Sequence, residues 1–181
     1  MRVDVVAELP PTLLDAAWRF YHDTFDELRT RAVARHVMYR HEFDELMADK
    51  RVMKYVAGDG DAIVGLAAQT DDLHAVPLIS PEYFAHRWPD RYAQRRIFYA
   101  VFVGARPGPR GMGVFVTLLR EMMRPITAVA GIVTIDVCTH NEAVHALPQR
   151  VELILGRIAG AARAQRVDSQ SFWCYEFPAA S

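Results

Sequence analysis

The sequence predicts an α+β fold, a sheet flanked by helices, on three observations. Leu14, Trp18, Tyr21, Phe25 and Leu28 recur at alternating spacings of four and three, the pattern of an amphipathic helix. Residues 51–57 and 63–68 are apolar runs separated by Gly58-Asp59-Gly60-Asp61, whose positive-φ turn chemistry makes them a β-hairpin. Residues 97–103, Ile-Phe-Tyr-Ala-Val-Phe-Val, form a continuous apolar strand that runs through a glycine-rich turn into a second amphipathic stretch.

The remaining elements follow in chain order. Pro10-Pro11 suits the start of the first helix, where a missing N–H costs little. A second helix covers residues 41–48, with Phe43, Leu46 and Met47 inward. After the hairpin, Ser80-Pro81 reads as a helix N-cap and first helical residue. Tyr83, Phe84, Trp88 and Tyr92 make residues 71–95 aromatic. Beyond the central strand, Phe115, Leu118, Leu119 and Met122 share one helical face. Residues 131–138 read as a fifth strand, Val151, Ile154, Leu155 and Ile158 mark a later helix, and residues 172–177 close the chain as a β-rich segment. With no linker, repeat or low-complexity block, residues 1–181 read as one domain. It has N-terminal helices at 10–50, a core at 51–177 and an inserted helical segment at 71–95.

Composition narrows the function. A hydrophobic fraction of 51% over 181 residues supports a globular core. The net charge of −1 shows no electrostatic footprint for nucleic acid. No apolar run approaches the roughly 20 residues that cross a bilayer, and the start lacks a signal-peptide core, so a cytoplasmic protein without a membrane role is expected. Cys138 and Cys174 lie in apolar runs and read as buried free thiols. No His-Glu-x-x-His pair or Gly-x-Ser-x-Gly elbow occurs, so neither a metal nor a serine nucleophile is expected. Only Lys50 and Lys54 stand against many arginines, which fits a GC-rich genome, so single arginines are weak signs of phosphate recognition.

Arg110-Gly111-Met112-Gly113-Val114 is the most specific motif. A buried strand, a tight loop and a helix start meet there. Free N–H groups and the positive end of the helix dipole suit a phosphate, and two glycines allow close approach. The plainer alternative is a strand-to-helix turn that binds nothing. With Pro107 three residues upstream, Arg110, Gly111 and Gly113 match the Arg-Gly-x-Gly-x-Gly/Ala signature, and here the sequence resembles the GNAT superfamily of acyl-CoA N-acyltransferases. Phe115 stands where Gly or Ala is usual: its ring either crowds the cofactor or points into the core, and its phase with Leu118, Leu119 and Met122 favours the core. The resemblance covers roughly residues 51–177 and implies a mixed, mostly antiparallel sheet flanked by helices.

The same resemblance implies acetyl-CoA or another acyl-CoA as substrate, an amine acceptor, and a CoA pyrophosphate on the amides from Gly111 through Met112, Gly113 and Val114 to Phe115. Arg110, Val103 and Asn141 complete the expected cofactor contacts. A bulge at Val103-Gly104 would free an N–H for the thioester carbonyl, although Gly104 alone also suits a strand end. Asn141 would open the helix after the fifth strand, but no Tyr follows it to protonate the leaving thiolate. Tyr175, His140 and His145 are the replacements, each with a structural alternative. Asp136 and Glu82 are the candidate bases; a carboxylate in an apolar strand needs a partner or a raised pKa. The 71–95 segment is either a cap over the acceptor pocket or an extra helix on the sheet edge. An enzyme transferring acetyl to a primary amine is expected. A non-catalytic CoA-thioester or other ligand-binding module and a long-chain N-acyl amino acid synthase remain alternatives, and a homodimer stays open.

Overall fold

The computed structural model describes residues 2–34, 36–60, 62–77 and 79–177. Asp61 of the expected hairpin turn, and Met1 and residues 178–181 of the expected domain, lie outside them. Strand β1 (Val3–Val6) leads into α1 (Pro11–Phe25), α2 (Leu28–Arg31) and α3 (Arg40–Ala48). The hairpin is β2 (Met53–Asp59) and β3 (Ala62–Thr70). A 3-10 turn (Leu73–Ala75), α4 (Pro81–Arg87) and α5 (Pro89–Ala93) precede β4 (Ile97–Ala105). Then come α6 (Gly111–Ala128), β5 (Ile132–Thr134), α7 (Thr139–Ala143) and α8 (Leu147–Ala159).

The sheet has the order β1-β2-β3-β4-β5. The first four strands pair antiparallel, and β5 runs parallel to β4 after the α6 crossover, giving the mixed, mostly antiparallel sheet expected. Strand alternation separates two cores. Leu66, Ala68 and Phe102 pack with Phe20 and Tyr21 of α1 and Phe43 and Met47 of α3. Tyr55, Ala67, Phe98 and Ala100 pack with Val114, Leu118, Leu119 and Met122 of α6. Gly65 permits this second contact: a Cβ there would lie 2.5 Å from Val114 Cγ1 and 2.9 Å from Leu118 Cδ1. α6 thus seats directly on β3.

The helix starts follow the sequence closely. Pro11 is the first residue of α1. In α4, Ser80 Oγ accepts from the Tyr83 amide and Pro81 follows it. Lys54 is fully buried, its Nζ donating to the carbonyls of Ala7 at 2.9 Å and Asp49 at 2.6 Å. It ties the end of β1 to the end of α3. Burial lowers its ammonium pKa to about 8.

Four expectations need correction. β1 was not expected; four residues are too short to show a period, and pairing with β2 makes the strand. The fifth strand stops at Thr134 instead of reaching Cys138, because only Ile97, Phe98 and Tyr99 pair with it before the two strands part. Residues 172–177 form no strand: β5 is the last strand of the sheet, and the apolar segment lies exposed in irregular chain. Cys174 is consequently exposed, whereas Cys138 is buried; both are free thiols.

Candidate functional site

Strand β4 breaks its own alternation in the middle. Its register against β3 runs Ala67 with Val103 and Ala68 with Phe102, then jumps to Gln69 with Ala100. Val101 is the extra residue of a β-bulge, opposed to no residue of β3, and β5 has already ended beside Tyr99. Val101 and Phe102 accordingly both pack toward the α1 side. The bulge expected at Val103-Gly104 is therefore at Val101, since Val103 and Gly104 stand in regular register. Gly104 has another reason to be small: a Cβ would lie 2.9 Å from Phe25 Cζ and 3.0 Å from Thr24 Cγ2. It lets the end of α1 close onto the strand.

β4 delivers the chain to the start of α6. Arg106 N–H donates to Val64 O at 2.8 Å, and Gly108 turns the loop at φ 125°. Gly111 N–H donates to Gly108 O at 3.0 Å and Val114 N–H to Arg110 O at 3.2 Å. Among the described residues the amides of Met112 and Gly113 have no acceptor, no side chain caps the helix, and its first turn holds no acidic residue. The positive end of an 18-residue helix is thus left uncompensated within the described residues.

The two glycines differ in kind. A Cβ on Gly111 would meet Arg106 O at 2.3 Å, so the turn itself demands glycine. A Cβ on Gly113 would meet nothing within 4 Å. Glycine inside a helix costs roughly 1 kcal/mol relative to alanine, and nothing in the chain requires it here. Of the five amides in the expected row, those of Gly111 and Val114 are already bonded, and the Val114 side chain is buried beneath β3. Phe115 is half-buried against the second core, which fits its core reading. Arg110 is exposed, and its side chain makes no hydrogen bond or ion pair among the described residues.

On the opposite face of β4, where β4 and β5 part, three side chains meet. Tyr99 Oη donates to Asp136 Oδ1 at 2.6 Å. His36 Nδ1 lies 3.1 Å from Asp136 Oδ2. Asp136 has the partners its sequence context required. Its side chain is exposed, yet the protein packed around the carboxyl partly desolvates it and pushes it up; the hydrogen bonds from His36 and Tyr99 outweigh this and hold it below its ordinary value. Burial, with the Asp136 charge and hydrogen bond, raises the Tyr99 phenol well above its ordinary value. Of the two outcomes its sequence context allowed, a partner or a raised pKa, Asp136 has the partners. His36 escaped sequence reasoning because its loop carries no motif. Its neighbours pin it: Val37 is buried, and Met38 N–H donates to Tyr21 Oη at 3.1 Å.

The aromatic segment borders this cluster. Phe84 is buried with Ile97 and Tyr99, and Tyr83, Trp88 and Tyr92 pack against them. Tyr83 Oη donates to Val167 O at 3.0 Å. Glu82, the other candidate base, is exposed in the first turn of α4, and hydrogen bonds from its own amide and Ser80 Oγ hold its carboxyl low. Tyr175 stands 77% exposed in irregular chain, far from the strand position that would have aimed it inward. Asn141 is half-buried within α7, which opens after Cys138, so Asn141 does not start a helix. His140 and His145 face one another with ring centroids 5.3 Å apart. Among the described residues, no group of three His, Cys, Asp or Glu residues is placed to hold a metal ion, and no helix is long and apolar enough to cross a membrane.

No protein-family model matches the chain, and no curated protein sequence matches it. Solved structures do. An aminoglycoside acetyltransferase from an uncultured soil metagenomic sample, in complex with sisomicin, is similar at a TM-score of 0.55 and 9% identity, covering 97% of this chain and 96% of that one. A ribosomal-protein-alanine N-acetyltransferase from Brucella melitensis biovar Abortus 2308 gives a TM-score of 0.54 and 12% identity, covering 96% and 100%. Aminoglycoside 6'-N-acetyltransferase AAC(6')-Ih from Acinetobacter baumannii gives 0.54 and 11% over the same shares. At such identities the likeness shows a shared fold. It is the GNAT fold that the Arg110–Gly113 motif led us to expect.

Proposed function

We propose that this chain is an acyl-CoA-dependent N-acyltransferase, transferring acetyl from acetyl-CoA to a primary amine of a small molecule or peptide. The observation that carries the reading is the uncapped start of α6, with free amides at Met112 and Gly113 and open space over Gly113. Anionic phosphates match that set of donors. Two solved relatives in fold support the ligand class: one is a 6'-acetyltransferase with a bisubstrate analog of CoA and acetylneamine, the other holds sisomicin. The cytoplasm, where CoA thioesters and free thiols coexist, is the compartment this activity fits.

In this reading the pyrophosphate lies on Met112 and Gly113. The thioester reaches the gap between β4 and β5. Val101, unpaired on either side, would direct its N–H to the carbonyl oxygen, where it stabilises the charge that develops during attack. The acceptor amine arrives from the face covered by α1, α4 and the loop before α3. Much of the rate comes from holding amine and thioester in line. The aromatic segment over Tyr99 acts as a cap that excludes water from the acceptor side.

The test is direct. Calorimetry with acetyl-CoA measures binding, and thiol release in the presence of sisomicin or a peptide with an N-terminal alanine measures turnover. Binding with turnover of either amine is expected. Binding without thiol release would mark a CoA-binding module, and absence of binding would remove the reading altogether.

A further inference from the structure

His36, Asp136 and Tyr99 come from three separate segments and form one hydrogen-bonded chain at the point where β4 and β5 separate. Asp136 is the shared acceptor. It takes the Tyr99 hydroxyl proton on one oxygen and faces His36 Nδ1 with the other. An imidazole that donates Nδ1–H to a carboxylate presents an unprotonated Nε2 on its far side. The His36 side chain is 19% exposed, enough for a ligand to reach and little enough to keep its orientation. The loop that carries it is anchored just after His36 by the packing of Val37 and by the Met38–Tyr21 hydrogen bond.

We propose that His36 is the general base for the acceptor amine and that Asp136 is its positioning residue, an inference that rests on the acyltransferase reading above. Nε2 of neutral His36 takes one proton from the acceptor ammonium. The freed lone pair on nitrogen forms the C–N bond at the thioester carbonyl. The C–S bond breaks with its electron pair on sulfur, and the second proton lost by nitrogen leaves with sulfur as the thiol. The imidazolium then returns its proton to water. Asp136 fixes the tautomer and stabilises the imidazolium while it lasts, and Tyr99 fixes Asp136. Among the described residues, Asp136 and Tyr99 are the ionisable groups bonded into this cluster.

The experiment compares the wild-type chain with His36→Gln, His36→Gly, Asp136→Asn and Tyr99→Phe, using acetyl-CoA with sisomicin and the alanine peptide. Turnover in His36→Gln should fall at least about a hundredfold, the range of a lost general base, with acetyl-CoA affinity unchanged within about twofold. Added imidazole should restore part of the turnover in His36→Gly and none in wild type. Asp136→Asn should lower kcat at least about tenfold with little change in the amine KM, because an amide can donate to Nδ1 and force the proton onto Nε2. Retained turnover in His36→Gln, or no rescue of a folded His36→Gly, overturns the proposal while leaving the acyltransferase reading intact. Loss of acetyl-CoA binding in His36→Gln would mean that the residue holds the fold or the cofactor, which also overturns it. If wild type binds acetyl-CoA and turns over neither amine, the acyltransferase reading fails and the proposal with it.

Discussion

The start of α6 and the cluster around Asp136 lie on opposite faces of the same strand and are assembled in opposite ways. Arg106 to Val114 is one unbroken stretch, and its donors are set by local turn and helix geometry. Tyr99 and Asp136 are 37 residues apart, and His36 comes from the N-terminal third. A contiguous site shows in sequence because backbone chemistry writes its requirements as glycines at fixed spacing. A dispersed site shows only when pairing and helix packing bring its members together.

The largest expected effect separates the two glycines of the contiguous site. Gly111→Ala sets a Cβ against Arg106 O and should cost about 3 kcal/mol in urea denaturation. A cost near zero would mean that the turn is looser than described. Phe115→Ala comes next. A ring half-buried on the second core should contribute about 2 kcal/mol, below the 3–5 of a fully buried phenylalanine. If the variant instead bound CoA more tightly at no cost in stability, the ring would belong to the cofactor path.

Gly113→Val should leave stability within about 0.5 kcal/mol, since its side chain meets open space. Its affinity for CoA should nevertheless fall more than tenfold, or about 1.4 kcal/mol. Calorimetry showing equal affinity in the folded variant would put the phosphates elsewhere and dissolve the contrast with Gly111.

The smallest effect belongs to the dispersed site. Asp136 titrates below its ordinary value when folded, so its ionised form contributes stability above the unfolded carboxylate pKa. That contribution is lost as pH falls through the folded value. Its side chain is 55% exposed, so solvent screening limits the effect to under about 1 kcal/mol. Asp136→Asn should therefore be less stable than wild type at neutral pH and converge with it in acid. Parallel stability curves down to low pH would show that the carboxylate is not held by its two partners.

Errors in reading the sequence follow the same division. The α1 start at Pro11, the Ser80 cap and the hydrophobic face of α6 obey rules that span one to a few turns, and each is found where the residues put it. The bulge was expected at Val103-Gly104 because glycine tolerates one. It sits at Val101, where the register with β3 shifts, and Gly104 serves the approach of Phe25. Tyr175 was expected in a strand on composition alone, but β-propensity needs a partner edge to become a strand, and β5 is too short to offer one.

By itself the sequence determined the first helix, the hairpin, the central strand with the helix after it, the sheet-and-helix class and the phosphate-suited turn, because helical periodicity, hairpin turns and glycine spacing act over a few residues. Tertiary structure alone decided where β4 bulges and that Asp136 is held low between Tyr99 and His36. Those depend on strand register and on the docking of a loop against α1. Such long-range choices are made by the packing of the whole core and leave no periodic mark on the chain.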